Sequence, residues 1–290
     1  MRSLIGLLLL LFVVTTCSEN STTTSEVPQL SSSSAPETTS TISSGYNTER
    51  NAYFGDLHVH TMYSFDAFIF GTTSSPDDAY EFAKGGTIIH PAGFDMSLDT
   101  PLDFYGVSDH AFYLGVLRQM ADPSTEISKH PAAAGMSTLG GSDDRGAKFT
   151  AILQFMRSGR GLEINDPVIR KDAWDDIVAS ANRHNDPGNF TAFVAYEYTA
   201  SGADSGNLHR NVIFRDDIAP ELPFSRLDSS NPEDLWAWMD NNRANGIESL
   251  AIPHNSNGSN GSMFMLTDNA GRPIDDAYAN LRMRNEPLVE

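Results

Sequence analysis

The chain has 290 residues, of which 40% are hydrophobic and 10% aromatic, so it can fill a core and is not disordered throughout. Asp and Glu total 38 against 19 Lys and Arg, and a formal net charge of -19 excludes a general nucleic-acid-binding protein, because phosphate backbones are repelled. The one cysteine, Cys17, excludes a disulfide framework and a cysteine-rich zinc site. Any chemistry must therefore use His, carboxylate or hydroxyl groups.

An apolar run close to the N-terminus predicts a secretory signal. Leu4–Val14 follows Arg2 and is shorter than the about 20 residues of a membrane-spanning helix, but it fits the apolar region of a signal peptide. Cys17 follows that run closely, and the sequence VTTC resembles the cleavage box of a bacterial lipoprotein. We expect a signal peptide over residues 1–17, export to the periplasm or outer membrane, and a lipid anchor on Cys17. An ordinary signal peptide with an incidental cysteine is the alternative, because Thr16 departs from the usual Gly, Ala or Ser.

The segment after the cysteine differs in composition from the rest of the chain. Residues 18–45 are rich in Ser and Thr, include Pro28 and Pro36, and contain few apolar side chains. Such a composition is typical of a flexible tether, which would hold a domain away from a membrane. The folded domain is therefore expected over residues 46–290.

Short β-rich runs alternate with helical stretches throughout this domain. The alternation predicts an α/β fold with a mostly parallel sheet. The predicted strands are Tyr53–His58, Phe104–Ser108, Thr191–Tyr196, Asn211–Phe214 and Ser249–Pro253.

Two helices carry clear start signals. Both SPDD from Ser75 and NPED from Asn231 combine an N-cap residue, a proline in the first turn and acids at the positive end of the helix dipole. The first of these helices is expected to end near Lys84, and a third helix is expected over Lys171–Asn182. The Gly-, Ser- and Asp-rich stretch from about 120 to 161 predicts an insertion with a short helix over Ala147–Met156.

Histidines and acids cluster where the predicted strands end. In a parallel sheet the carboxyl ends of the strands share one edge, so residues from separate strands are expected to meet there. A single His is more often structural than a ligand, but this many together favour a metal centre. The predicted metal ligands are His58, His60, Asp66, His110, Glu197, His209 and His254.

The composition of this set indicates the kind of metal. His58 and His60 are two apart on a strand and so point to the same side. Imidazole and carboxylate together suit Zn, Mn or Fe, and Glu197 is able to bridge two ions. Seven candidates exceed the four or five ligands of one centre, so two or three ions are expected. A closed structural site with one ion is the alternative.

Several motifs resemble the polymerase and histidinol phosphatase (PHP) superfamily of metal-dependent phosphoesterases. They are GDLHVHT from Gly55, with Ser64 and Asp66, then VSDH from Val107, then Glu197 and His254. Within that superfamily the chain is most similar to a PHP-like bacterial family labelled as a domain of unknown function. The further stretches behind this similarity are FGT from Phe70, PDDAY from Pro76, HPAG from His90 and LRMRNEP from Leu281.

The resemblance implies a distorted seven-stranded (β/α) TIM-like barrel of PHP type. It further implies that His58 and His60 hold a first metal ion and that Glu197 bridges to a second, held by His209 and His254. Asp66 and His110 would hold a third. The superfamily also has a final Asp-x-His ligand pair, which does not occur after His254. We therefore expect this domain to be incomplete at its C-terminus, with a barrel that does not close.

The resemblance implies hydrolysis of a phosphate ester by a hydroxide that bridges two ions. Asp109 and Asp56 are the candidate catalytic residues, either as acid–base groups or by orienting a ligand His, and orientation is favoured for Asp109. Arg210 is a weak candidate for binding phosphate. The expected function is an exported phosphoesterase acting on a small molecule. The alternatives are a metal-dependent hydrolase of a sulfate, carboxylic ester or amide, and a non-catalytic metal-binding surface lipoprotein.

Overall fold

The computed structural model describes residues 51–202 and 204–290. The predicted signal peptide, Cys17 and the predicted tether all lie outside the described residues. Within the described part, no helix is both long enough and apolar enough to cross a membrane.

A five-stranded sheet forms the centre of the domain. In spatial order its strands are Gly55–Val59 (β1), Phe104–Val107 (β4), Thr191–Tyr198 (β5), Arg210–Phe214 (β6) and Ser249–Pro253 (β7). Strands β1, β4 and β5 are parallel, whereas β6 is antiparallel to both β5 and β7. Four of the five strands therefore run in one direction, and β6 alone is reversed. A separate hairpin pairs β2 Ile88–Ile89 with β3 Asp95–Met96.

The helices begin where the sequence supplies a cap. The Ser75 side chain accepts from the backbone of Asp78 in a capping box, and Asn231 caps the helix that starts at Pro232. Asp166 caps the third predicted helix, which therefore begins at Pro167, ahead of the predicted Lys171. The helices are α1 Phe65–Phe70, α2 Pro76–Ala83, α3 Val116–Ala121, α4 Ser142–Phe155, α5 Pro167–His184, α6 Pro232–Ala244 and α7 Asp276–Asn285.

The main core lies between the sheet and helices α2, α5 and α6. Trp174 of α5 is fully buried against Tyr196 of β5, at 5.8 Å between ring centroids, and its indole N–H donates to the carbonyl of Pro220. Truncating an aromatic residue at such a position costs about 3–5 kcal/mol. This packing therefore fixes α5 against β5.

The predicted insertion contributes to a second core. Helix α4 begins at Ser142, earlier than the predicted start at Ala147, and its Ile152 is buried together with Phe65 and Ile69 of α1. Helix α1, which the sequence pattern did not predict, is thereby fixed next to the end of β1. Residues 120–161 are therefore packed against the helix that carries Asp66.

The α/β class with a parallel-rich sheet is confirmed, whereas the expected TIM-like barrel of PHP type is not confirmed by the strands of the described residues. There the five strands form an open sheet with β1 and β7 at its two edges. The sheet is mostly parallel, as expected, and β6 is the exception, because it pairs antiparallel with both neighbours. His209 directly precedes β6, and the reversal of β6 places it at the end of the sheet where the other four strands finish.

Candidate metal centre

All of the predicted ligands lie at one end of the sheet, the end at which the parallel strands finish. The strands β1, β4, β5 and β7 end there, and the reversed strand β6 begins there. Asp66 is added by the first turn of α1. The structure therefore brings together His58, His60, Asp66, His110, Glu197, His209 and His254.

The carboxylate of Glu197 lies at the centre of this set and is 1% exposed. Five imidazoles surround it, and its two oxygens face different ones. Oε2 lies 3.4 Å from Nε2 of His58, 3.3 Å from Nε2 of His60 and 3.5 Å from Nε2 of His254, while Oε1 lies 3.0 Å from Nδ1 of His110 and 2.9 Å from Nδ1 of His209.

This arrangement determines the charge of the carboxylate. Burial alone raises the pKa of Glu197, but the surrounding imidazoles, His110 above all, outweigh burial and hold that pKa well below its usual range. The same coupling acts on His110, where burial lowers the pKa but Glu197 and Asp66 raise it to about 10. Glu197 is therefore an anion that requires nearby positive charge, which a metal ion also supplies.

His254 provides an independent test of whether a metal fits. Its side chain is fully buried, and neither ring nitrogen has a hydrogen-bond partner among the described residues. Burial lowers the pKa of His254, so the ring is neutral, the form in which imidazole binds metals. A buried polar atom without a partner is costly, and a metal ion would satisfy one of these nitrogens. The residues present therefore fit a metal site.

Four overlapping groups of three side chains have ligand atoms within 4.8 Å of one another. Each group shares a residue with another, because His58, His60, Glu197 and His254 each belong to two groups, so the four groups form one connected cluster. The groups are His58–His60–Glu197, His58–His254–Glu290, His60–Asp66–His110 and Glu197–His209–His254.

Asp109 does not belong to the cluster itself but hydrogen-bonds to Thr61 and Ser64, which lie next to it. It is fully buried and accepts hydrogen bonds from the backbone N–H and the hydroxyl of Thr61 and from the hydroxyl of Ser64, at 2.6, 2.5 and 2.8 Å. Ser64 Oγ in turn lies 2.7 Å from Nδ1 of His60 and accepts the backbone N–H of His110 at 3.0 Å. With a proton on Nδ1 of His60, its Nε2 is left free to face Glu197.

Asp56, the other candidate catalytic residue, is not among the metal-capable groups. Its side chain is exposed, and Oδ1 accepts the backbone N–H of His58 at 2.9 Å. Arg210 does not serve as a phosphate-binding group either. It is 2% exposed and its Nε donates to Glu286 at 2.7 Å, so its charge is used inside the protein.

Two residues at the site were not predicted. Thr199 accepts from Nδ1 of His110 at 2.5 Å and donates to Glu197 at 2.8 Å. Thr199 is two residues from Glu197 along the chain, and this spacing is the only sequence feature that could have indicated its position at the site. Glu290 lies 3.4 Å from Nδ1 of His58, and nothing in the sequence pattern indicates this contact.

Comparison with protein families gives one result for this chain. A family model described as "Protein of unknown function (DUF3604)" matches residues 47–290. The chain belongs to the DUF3604 family. Comparisons of this DUF3604 protein with curated proteins and with solved structures gave no significant match. The match covers all of the candidate metal centre, so the site lies within the DUF3604 region.

Proposed function

We propose that this protein is an exported metal-dependent hydrolase, specifically a phosphoesterase that uses two or three Zn, Mn or Fe ions on a small phosphate ester. The observation that carries the proposal is the position of Glu197, one buried carboxylate between five imidazoles. The resemblance of its motifs to the PHP superfamily supports the same reaction class. Leu4–Val14 and Cys17 support a lipid-anchored location in the periplasm or outer membrane.

The metal ions, when bound, would lower the pKa of a water molecule and neutralise charge that develops on the phosphoryl oxygens. The chain's own residues hold and orient these ions. Glu197 would be shared between two of them, because Oε1 and Oε2 face different histidines. Asp66 is the more exposed acid, with 33% of its side chain accessible, so its group would lie on the side open to substrate.

Asp109 acts in this proposal as a positioning residue. It is 0% exposed and contacts Thr61 and Ser64, so it does not reach a substrate. Its role is to fix Ser64, which fixes the ring of His60. We therefore keep the role that the sequence favoured for Asp109, which is to orient a ligand histidine and not to act as an acid or base.

The experiment combines metal analysis with hydrolysis assays on an aryl phosphate and an aryl sulfate. We expect hydrolysis of the phosphate that a chelator abolishes. Replacing His254 with Ala should lower the rate by more than about 100-fold, since loss of residues that merely support a ligand costs about 10- to 100-fold. His90→Ala is the matched control, because His90 lies outside the cluster in the β2–β3 loop and stacks on Phe94.

Other outcomes would replace the proposal. Turnover of the sulfate alone would favour hydrolysis of another bond. Bound metal without turnover of either ester would favour a metal-binding protein without catalytic activity.

A further inference from the structure

One arginine close to the metal centre has an unusual environment. The guanidinium of Arg226 lies over the ring of Phe112, 5.6 Å from its centroid. The same ring lies 5.8 Å from the ring of His110, and the ring of Phe65 lies 5.0 Å from His110 on the same aromatic wall. A single side chain therefore separates Arg226 from a predicted metal ligand.

Within the part of the chain that the structure describes, Arg226 also has no partner for its charge. Among residues 51–202 and 204–290, no carboxylate lies within ion-pair distance of it, and it makes no side-chain hydrogen bond. Its side chain is nevertheless partly buried. The other arginines of the described part that are not fully exposed bond to acids, to backbone carbonyls or to polar side chains: Arg145, Arg170, Arg210, Arg243 and Arg282.

Partly burying an unpaired guanidinium costs free energy, and this cost suggests that Arg226 binds a ligand. The chain has twice as many acids as basic residues, yet none of the acids in the described part of the chain is placed against this guanidinium. Burial is the largest effect on the pKa of Arg226 and lowers it, because the guanidinium loses part of its hydration. Stacking on Phe112 compensates for part of the lost hydration, but it leaves the planar donors of the guanidinium unused. Such donors match the oxygens of a phosphate or similar oxyanion.

We infer that Arg226 binds an anionic oxygen group of the substrate beside the metal centre, so that the site selects oxyanion substrates over neutral ones. This inference rests on the proposed function and specifies its substrate class. Phe112 would serve as the platform that holds the guanidinium in place.

The test is calorimetric titration of the metal-loaded protein with inorganic phosphate. We expect Arg226→Ala to weaken phosphate binding by about tenfold or more, the effect expected for loss of a charge-assisted hydrogen bond. Arg226→Gln keeps most of the side-chain volume and should weaken phosphate binding to a similar extent. It therefore tests the loss of the charged donors even if Arg226→Ala does not fold. Arg226→Lys keeps the charge but not the planar donors and should fall between Ala and wild type.

Arg215→Ala is the control, because Arg215 is exposed, pairs with Asp216 and follows the far end of β6. It should bind phosphate as the wild type does. In the aryl phosphate assay, Arg226→Ala should raise KM more than it lowers kcat.

Two results would overturn the inference: unchanged phosphate affinity in the folded Arg226 variants, or no phosphate binding by the metal-loaded wild type. Failure of the proposed function is distinguishable from these, because it appears as absent metal or absent turnover in the wild type itself.

Discussion

Nδ1 of His209 lies 2.9 Å from Oε1 of Glu197, although the two residues belong to opposite ends of neighbouring antiparallel strands. Glu197 is close to the end of β5, and His209 immediately precedes β6. Reversal of β6 is therefore what brings His209 to the metal centre, since a parallel strand would place its first residue at the far edge of the sheet. The direction of a single strand determines one group of candidate ligands.

The overlapping groups predict that ligand variants remove ions selectively. His209 belongs to one group and Asp66 to another, and the two groups share no residue. We expect His209→Ala and Asp66→Asn each to reduce the bound metal by about one equivalent, and the double variant to lose both, because each ion needs at least three protein ligands. Metal analysis after gel filtration measures this. Equal and complete loss from both single variants would contradict separate sites.

Ser64 predicts a variant that affects metal affinity without removing a ligand. Its hydroxyl connects Asp109 to His60 and the backbone of His110, and it is fully buried. Ser64→Ala should weaken metal binding by about 10- to 100-fold and lower the free energy of unfolding by about 1–3 kcal/mol. Ser75→Ala is the matched control, since loss of the α2 cap costs about 1 kcal/mol and should leave metal affinity unchanged. Equal metal affinity in both variants would exclude the positioning role.

A buried ion pair predicts a large effect on stability. Glu286 accepts from Arg210 at 2.7 Å and from the indole of Trp236 at 2.8 Å, and the side chains of the ion pair are at most 2% exposed. Glu286→Ala should lower the free energy of unfolding by about 3–5 kcal/mol, because it leaves the charge of Arg210 buried and unpaired. In urea denaturation, Glu248→Ala should cost less than about 1 kcal/mol, since its pair with Arg243 is partly exposed. Similar costs for the two variants would contradict this account.

Removing the metal is expected to destabilise the fold. The buried Glu197 and the unpartnered nitrogens of His254 then lack a cation, so the chelated protein should melt at a lower temperature than the loaded one. The difference should grow with free metal concentration and shrink as the pH falls, because imidazole and carboxylate bind metals only when deprotonated. Thermal denaturation with and without chelator at several pH values measures it. A melting temperature that does not respond to metal would show that no metal stabilises the folded state.

The sequence predicted the strands well and also predicted that these His and acidic residues lie close together, and the reason is local. Phe104–Val107 and Thr191–Tyr198 are short apolar runs rich in aromatic and β-branched residues, which mark strands without tertiary information. The histidines and Glu197 are recognisable because they interrupt or follow these runs.

The remaining features depend on tertiary contacts. Residues in a strand alternate between the two faces whichever way the strand runs, so the pattern of Arg210–Phe214 does not reveal its direction. Helix α1 has only six residues, too few for a periodic pattern, and it forms because Phe65 and Ile69 pack under the insertion. The contact between Glu290 and His58 and the missing partner of Arg226 likewise exist only in the folded chain.

The metal content of the purified 290-residue protein tests the central claim most directly. After loading with Zn, Mn or Fe and removal of free ions, the wild type should retain about two or three equivalents per chain, and Glu197→Gln should lose most of them, because Glu197 joins two of the groups. One equivalent or less in the wild type, or an unchanged metal content in Glu197→Gln, would contradict a multinuclear centre built around Glu197.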